Sequence, residues 1–320
     1  MMVFIYAVLI FLVLRFSVTL FNFLSNPKLG YYGKHFTDKV SIIIVADHSG
    51  ANVQGLLDSI EQQDYIHIEV LVQGHESETE LAARASGRYL LFLDAATTIH
   101  RGLINSLVYR TKVFNLAVLG VLPTLKPSNV LEYCIYPLNY FVLLNLLPLR
   151  LVRLSDLPAF AAGSSDCLFF DASVYKGYNW HRQFGKPGWT GTDMIKLVKQ
   201  QQLKAEVLLG NRFVYSNPGV KDLEGLAARL LANFGSNIFV ALIYLSLVIA
   251  GPLFVLFNFD LALAALPIGL IFLSRIMIAF LTAQKPFFNV LLHPIQMLLL
   301  FVLLLKGIWM RMLGSIKTKK

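Results

Sequence analysis

Charge is scarce in this chain. Asp, Glu, Lys and Arg make up 15% of its 320 residues while hydrophobic types make up 56%, against about 25% charged in an ordinary soluble domain. A single soluble globule is thereby excluded. Cysteine is nearly absent too: Cys134 and Cys167 form neither a disulfide framework nor a metal-ligand spacing, and both read as inert packing residues. His48, His75 and His181 share no ligand spacing either, and read as loop or surface histidines. Acidic residues are the scarcer sign, 19 against 28 Lys and Arg, for a formal net charge of +9. The basic residues are nevertheless spread along the chain and flank apolar segments. Attraction to anionic lipid headgroups accounts for them, and no nucleic-acid partner is expected.

What the chain does have is apolar sequence at both ends. Residues 1–24 are long enough to span ~30 Å of hydrocarbon at ~1.5 Å per residue. With no basic start and no small-residue cleavage site, the run reads as a retained anchor and not a signal peptide. Its Arg15 is expected to snorkel toward the nearer interface. Three more apolar segments follow, at 238–257, 261–283 and 287–310, each near the ~20 residues of a spanning helix. The connection Asn258-Phe259-Asp260 carries no Lys or Arg and is expected to face outward. Lys28, Lys34, Lys39, Lys221, Arg229 and Lys285 favour a cytoplasmic location for the stretches they flank. The tail residues Lys317, Lys319 and Lys320 favour the same side, yet four full crossings would put them outside. The last segment, with Pro294, Lys306, Trp309 and Arg311, is therefore expected to lie in the interface or re-enter. Arg275 is expected to pair with a carboxylate or to snorkel, and the helices are too few for a usual transporter. The resulting organisation is an anchor at 1–26, a soluble domain at 27–237, two to three membrane helices within 238–313 and a basic tail at 314–320. This predicts a multi-pass protein of the inner (cytoplasmic) membrane with its soluble domain in the cytoplasm.

Within the domain, Val40-Ser-Ile-Ile-Ile-Val-Ala46 is a β-branched run suited to a central parallel strand. Residues 52–63 place Val53, Leu56, Leu57 and Ile60 at helix spacing. A strand at 68–72, a helix around 79–86 and a strand ending at Asp94 follow. This β-α-β-α-β order predicts an α/β fold with a doubly wound, mainly parallel sheet, whose ligands bind at the C-terminal strand ends. Asp47, Gln73 and Asp94 all fall on that edge.

The stretches VSIIIVADHSGANVQGLLDSIEQQDY, IEVLVQGHES and GRYLLFLDA, in this order, resemble the opening of a family 2 glycosyltransferase of the GT-A fold. GSSDCLFFDASVYKGYNW resembles the acceptor-side strand and turn of such enzymes. DMIKLVKQQQLKAEVLLGN resembles the helix and strand after their catalytic acidic motif, and LEGLAARLLANFGSN the amphipathic segment before the C-terminal membrane helices. The resemblance covers nearly the whole chain. It implies a nucleotide-sugar donor, a divalent Mg or Mn ion, and transfer of a hexose with inversion to a lipid or membrane-associated acceptor.

Residue by residue, the chemistry of that family is only partly present. Where its members read the uracil ring with a carboxylate in a Val-Asp-Asp-Gly-Ser pattern, this chain has Val72-Gln73-Gly74-His75-Glu76-Ser77. Gln73 can hydrogen-bond a base edge but brings no charge. In place of Pro-Ala-Arg-Asn-Glu it has Val45-Ala46-Asp47-His48-Ser49-Gly50. Asp47 or Ser49 reads as a cap of the following helix, or Asp47 as a substitute for the missing base-reading carboxylate. The metal-binding Asp-x-Asp appears as Asp94-Ala95-Ala96, leaving Asp94 as the one carboxylate ligand; it suits a hard divalent ion whose other ligands come from the substrate diphosphate. The Glu-Asp motif of the catalytic base falls on Thr190-Gly191 in a gapless register, whereas an offset makes Asp193 the base; its structural reading is a helix-start residue. Asp166 and Asp171 read as strand-end turn residues or acceptor contacts. Trp180 and Trp189 read as parts of a loop over the sugar site or as interface anchors.

Two functional readings follow. In one the chain is a membrane-bound hexosyltransferase using Asp94 for the metal and Asp193 as base. In the other, because three acidic positions are altered, it is a non-catalytic paralogue, a pseudoenzyme that serves as a binding or assembly subunit beside an active glycosyltransferase partner.

Overall fold

The computed structural model describes residues 2–33, 35–45, 53–184, 189–217 and 223–317. The chain divides into two compact units, one made of residues 27–126 and 149–218, the other of 1–26, 127–148 and 219–320.

The first unit is mixed α/β. Its main sheet contains β1 (Val40–Val45), β2 (Ile68–Val72), β3 (Tyr89–Asp94), β5 (Val118–Leu122), β7 (Cys167–Asp171) and β8 (Ala205–Leu209), while β4 (Thr97–Ile99), β6 (Thr124–Leu125) and β9 (Val214–Ser216) make a small second sheet. The main order is β2-β1-β3-β7-β5-β8. Strands β2, β1 and β3 are parallel, as are β5 and β8, whereas β7 runs antiparallel to both of its neighbours. The strands at 40–45, 68–72 and 89–94 are thus the adjacent parallel set that the alternating pattern predicts. The sheet is parallel-rich, with one reversed strand in its middle.

These elements form for local reasons. In β1 and β3 residues 40–44 and 89–93 are buried on both faces, which is why the sequence reads as continuous apolar runs and not as an alternation. The helix Glu78–Arg84 begins at a capping box, in which Ser77 Oγ accepts from Glu80 N and the Glu80 carboxylate accepts from Ser77 N. The core lies along β1 and β3, with Ile42, Ile44, Leu91 and Leu93 packed against Leu56 and Ile60 of the helix Val53–Glu61 and against Leu103 and Leu107 of the helix Leu103–Phe114.

A carboxylate is fully inside this unit. Glu206 of β8 is 1% exposed. It accepts two hydrogen bonds from Arg110 at 2.7 Å and one from Arg153 at 2.9 Å, with Arg150 at 3.8 Å. The guanidiniums of Arg110 and Arg153 lie 4.2 and 4.1 Å from the Phe114 ring centroid. Three cations on one carboxylate repel one another, and Glu206 is what holds them together.

The second unit is helical. Among the described residues four helices are long and apolar enough to cross a membrane: Val3–Ser25, Ile238–Asn258, Ala264–Leu281 and His293–Gly314. The second contains a π-helical turn at Ser246–Ala250 just before Pro252; Pro lacks the N–H of a regular turn and crowds the preceding one, so the wider turn relieves it. The last apolar segment is one helix from His293, separated from the short helix Pro286–Leu291, and nothing in its length requires a re-entrant path. The helix Val130–Leu146 belongs to this unit as well. Asn22 Nδ2 of the first helix donates to the carbonyls of Leu144 and Leu147 at 2.9 and 2.8 Å, joining the two helices by hydrogen bonds that are dear to lose where water is excluded.

Arg15 and Arg275 depart from expectation. Neither extends along the surface: Arg15 is 7% and Arg275 1% exposed. Neither has a carboxylate within ion-pair distance among the described residues. Both stack on aromatic rings instead.

Replacing Glu206 with Gln keeps the volume and removes the charge. Breaking a buried ion pair by deleting one partner costs about 3–5 kcal/mol, here at the low end because the arginines are partly solvated. Glu206→Gln should therefore lower the thermal unfolding midpoint of the purified protein by on the order of 10 °C. An unchanged midpoint would mean that the cluster does not hold β8 in place.

Candidate functional site

The direction of each strand decides which residues share an edge. Val45 pairs with Asp94 and Ile44 with Val72, and Gln73 N donates to Ile44 O at 3.0 Å. The C-terminal ends of β2, β1 and β3 are therefore level. Since β7 is antiparallel, its N-terminal end reaches this same edge: Leu93 pairs with Cys167, and Asp94 N donates to Asp166 O at 3.0 Å. Gln73, Asp94 and Asp166 line up across adjacent strand ends. Asp47, expected at the end of β1, lies outside the described residues together with His48 and Ser49.

Asp94 is held by its own turn. Its Oδ1 accepts from Ala96 N at 2.7 Å, and its carbonyl accepts from Thr97 Oγ1 at 2.6 Å. This Asx-type turn directs the chain into β4, which pairs with β9. Ala95 is 4% exposed, and its N–H donates to Val45 O at 3.0 Å, so only positions 94 and 96 of the tripeptide are open to the edge. Gln73 Nε2 donates to Glu76 O at 3.2 Å, folding the side chain over its own loop and leaving Oε1 as its acceptor.

Asp193 is brought to the same edge indirectly. The helix Gly191–Gln200 begins at Thr190, whose Oγ1 accepts from Asp193 N, while the Asp193 carboxylate accepts from Thr190 N at 2.9 Å and from Thr190 Oγ1 at 2.7 Å. The helix-start reading of Asp193 therefore holds. The side chain remains exposed. Thr192 Oγ1 donates to Gly163 O at 3.3 Å, and a Cβ on Gly191 would lie 2.3 Å from the backbone carbon of Ser164. The first turn is thus pressed against the segment that enters β7 two residues later at Asp166. Position 191 takes no side chain without moving that segment.

Other residues singled out in sequence have structural roles. Asp171 is at the opposite edge, pairing with Tyr89 at the start of β3, and caps the helix Ala172–Tyr178 by accepting from Ser173 N and Val174 N at 3.0 and 3.3 Å. His181 is not a surface histidine. It is 8% exposed, with Nδ1 against the Tyr175 hydroxyl and its ring 4.6 Å from that of Phe92; burial pushes its pKa down to about 3, so it is neutral at pH 7 and needs no counter-charge. Trp180 is fully buried against Phe170, Tyr175 and Tyr178, which excludes both a loop over the site and an interface anchor. Trp189 is half-buried and stacks on Phe184 at 5.4 Å. Cys134 and Cys167 are free and buried.

Sequence reasoning missed the pairing of Asp166 with Asp94; a polar residue directly before a continuous apolar run is the available signal, and it does not reveal strand direction. It also missed Lys199. This side chain is 2% exposed, and its Nζ donates to Val152 O and Phe160 O at 3.0 and 2.9 Å. Burial lowers its pKa to about 8, partly offset by the Asp156 charge. Lys199 ties the segment leading toward Asp166 to the back of the helix that carries Asp193.

As a metal site the edge is sparse. Among the described residues no three His, Cys, Asp or Glu side chains come together. Asp94, with Asp166 beside it, supplies hard oxygen donors of the kind that Mg²⁺ or Mn²⁺ accepts when phosphates and water complete the shell, so the donor chemistry fits such an ion.

No protein-family model matches this sequence, and no curated protein does either. Solved structures do match. The mannosyltransferase PcManGT from Pyrobaculum calidifontis, in complex with GDP-Man and Mn²⁺, superposes with a TM-score of 0.53 at 13% identity, covering 96% of this chain and 99% of that one. S. aureus TarS (residues 1–349) in complex with UDP-GlcNAc matches at 10% identity with a TM-score of 0.39, over 84% and 89% of the two chains. The first of these likenesses shows that the chain has a glycosyltransferase-like fold.

Gly191 provides a direct test of the geometry at the start of its helix. Gly191→Ala should destabilise the protein by about 1–3 kcal/mol, the usual cost of forcing atoms into a filled space, although Ala is the better helix former. Gly191→Asp should be worse. A thermal midpoint equal to or above that of the wild type would show that the Ser164 segment yields freely.

Proposed function

We propose that this chain is a membrane-bound, family 2 type glycosyltransferase of GT-A architecture that moves a hexose from a nucleotide sugar to a lipid or membrane-associated acceptor. The observation that supports it most is the level edge of Gln73, Asp94 and Asp166, with the Asp193 helix start against the Ser164 segment, in a fold that matches a mannosyltransferase over nearly the full length of both chains. Ligands of parallel α/β sheets bind outside such C-terminal strand ends.

In this reading Asp94, with Asp166 on the neighbouring strand end, would hold a divalent ion, which would supply neutralisation of the charge on the leaving diphosphate. Gln73 offers an acceptor to an amino group on the base edge, and Asp47, two residues after β1 in sequence, is a second base contact. Asp193, oriented by its two bonds from Thr190, removes the acceptor hydroxyl proton. The acceptor oxygen bonds to the anomeric carbon from the face opposite the diphosphate, the bond from that carbon to the phosphate oxygen breaks, and the nucleoside diphosphate departs with inversion. In this reading the sheet unit and the tail lie on the cytoplasmic side of the inner membrane, a side that the basic flanks favour.

Turnover measurements in the presence of Mg²⁺ or Mn²⁺ test the chemistry. Asp94→Ala should abolish metal-dependent turnover, and Asp193→Asn should lower it by ~10²-fold or more through loss of the base. Turnover unaffected by loss of Asp94 would reject the metal assignment. A wild type that binds nucleotide sugar without turning it over, with both variants unchanged in binding, would establish the non-catalytic subunit reading instead.

The orientation has its own test. Cys134 and Cys167 are buried, so Lys319→Cys supplies a selective label site. An impermeant thiol reagent added to intact cells should leave it unmodified, and should label it after the cells are opened. Labelling from outside would mean that the last helix crosses the membrane and carries the tail with it.

A further inference from the structure

The helical unit contains two buried cations, Arg15 and Arg275, with no carboxylate within ion-pair distance among the described residues. Arg15 Nε and Arg275 Nη2 are buried without a hydrogen-bond partner, as is the hydroxyl of Tyr244. Arginine does not escape by losing its proton. Stacking on Phe141, at 5.1 Å for Arg15 and 3.5 Å for Arg275, recovers part of the desolvation cost but does not cancel two like charges around one ring. Carboxylates are scarce in this unit, and those with described partners are engaged elsewhere: Glu132 with Ser128 N and Glu224 with Lys306. A buried cation needs an anion, and the described residues of this unit do not provide one.

Beside these residues is a cavity of about 520 Å³, within the range of small-molecule sites. Its walls are apolar, formed by residues such as Val8, Leu247, Leu253 and Ile268, and its polar lining is Arg15 and His293. A small void next to it is bounded by Arg15, Asn145, Ser274 and His293. Arg275 Nε donates to His293 Nδ1 at 2.9 Å, so the other ring nitrogen of His293 carries a proton and is a further donor. One end of the cavity is thus donor-rich and cationic, and the remainder is hydrocarbon-like.

We propose that this cavity binds a phosphate-bearing membrane lipid, with its phosphate on Arg15 and His293, the latter oriented by Arg275, and one hydrocarbon chain along the apolar wall. Guanidinium and phosphate are matched in charge and in fork geometry. An anion alone would leave the apolar volume empty, and a neutral lipid would leave the arginines unpaired. The four long apolar helices supply the source, since a bundle of this kind is surrounded by lipid. The site does not depend on the transfer reaction proposed above and is tested by binding, not by turnover.

The test uses the full chain in phosphatidylcholine nanodiscs, with dodecyl phosphate as probe and the thermal midpoint as readout. Dodecyl phosphate should raise the midpoint in a saturable manner, whereas dodecanol and inorganic phosphate should not. Arg15→Met should weaken the apparent affinity about tenfold, in line with one charge-assisted hydrogen bond, and Arg275→Met should weaken it through loss of the bond that orients His293. Without probe they should be as stable as the wild type or more so, because an unpaired buried charge has been removed. Ile268→Trp keeps both arginines and fills the cavity, and it should weaken the probe's effect by itself; it carries the test if an arginine variant does not fold. An equal shift from dodecanol would reduce the site to an apolar cavity. An equal shift from inorganic phosphate would make it an anion site without a lipid. A full dodecyl phosphate shift in both arginine variants, or no shift in the wild type, would overturn the proposal.

Discussion

The pairing of β1 with β3 is the constraint on which the candidate site depends. Val45 opposite Asp94 brings the ends of three parallel strands level, and a slip of one residue would exchange the faces of every side chain along β3. Such a slip is opposed by the close packing of residues 40–44 and 89–93, which are buried on both faces. The sheet needs no charged residue to enforce the register, because apolar burial does so. The polar residues at the strand ends are consequently free to vary without loss of fold, and this is where the chain differs from the family it resembles.

The strands at 40–45, 68–72 and 89–94 were legible because a central parallel strand has to be apolar on both faces, and the helices between them because Leu56, Ile60 and their neighbours repeat at helical spacing. Strand direction was not legible. Nothing in Cys167-Leu-Phe-Phe170 says that it runs antiparallel to β3, so the meeting of Asp166 with Asp94 required coordinates. In the 190–193 region the gapless register was slightly the more readable in sequence, and what the sequence did not reveal is the contact of Gly191 with the backbone of Ser164. His181 and Trp180 were misread for a common reason: a short polar-looking stretch with glycines reads as a loop, while the rings of Phe92, Phe170 and Tyr175 bury it.

The intramembrane-type arginines were misread in a different way. Arg15 and Arg275 are each a single charge in an apolar run, and a single charge on one isolated helix has few options besides the interface. Only the assembled helices show that both side chains meet at Phe141. Their shared surroundings are a property of the bundle, and a reading of the chain one segment at a time does not contain it. The same holds for Glu206, whose three arginines come from two separate stretches of sequence.

The close approach of Gly191 to Ser164 bears on how such a chain changes over generations. A side chain at position 191 would require the backbone at 163–164 to retreat, so two distant stretches would have to change together. Altering the carboxylate at position 193, by contrast, is a single step. A Glu-Asp pair at 190–191 is thus out of reach of one substitution at a time.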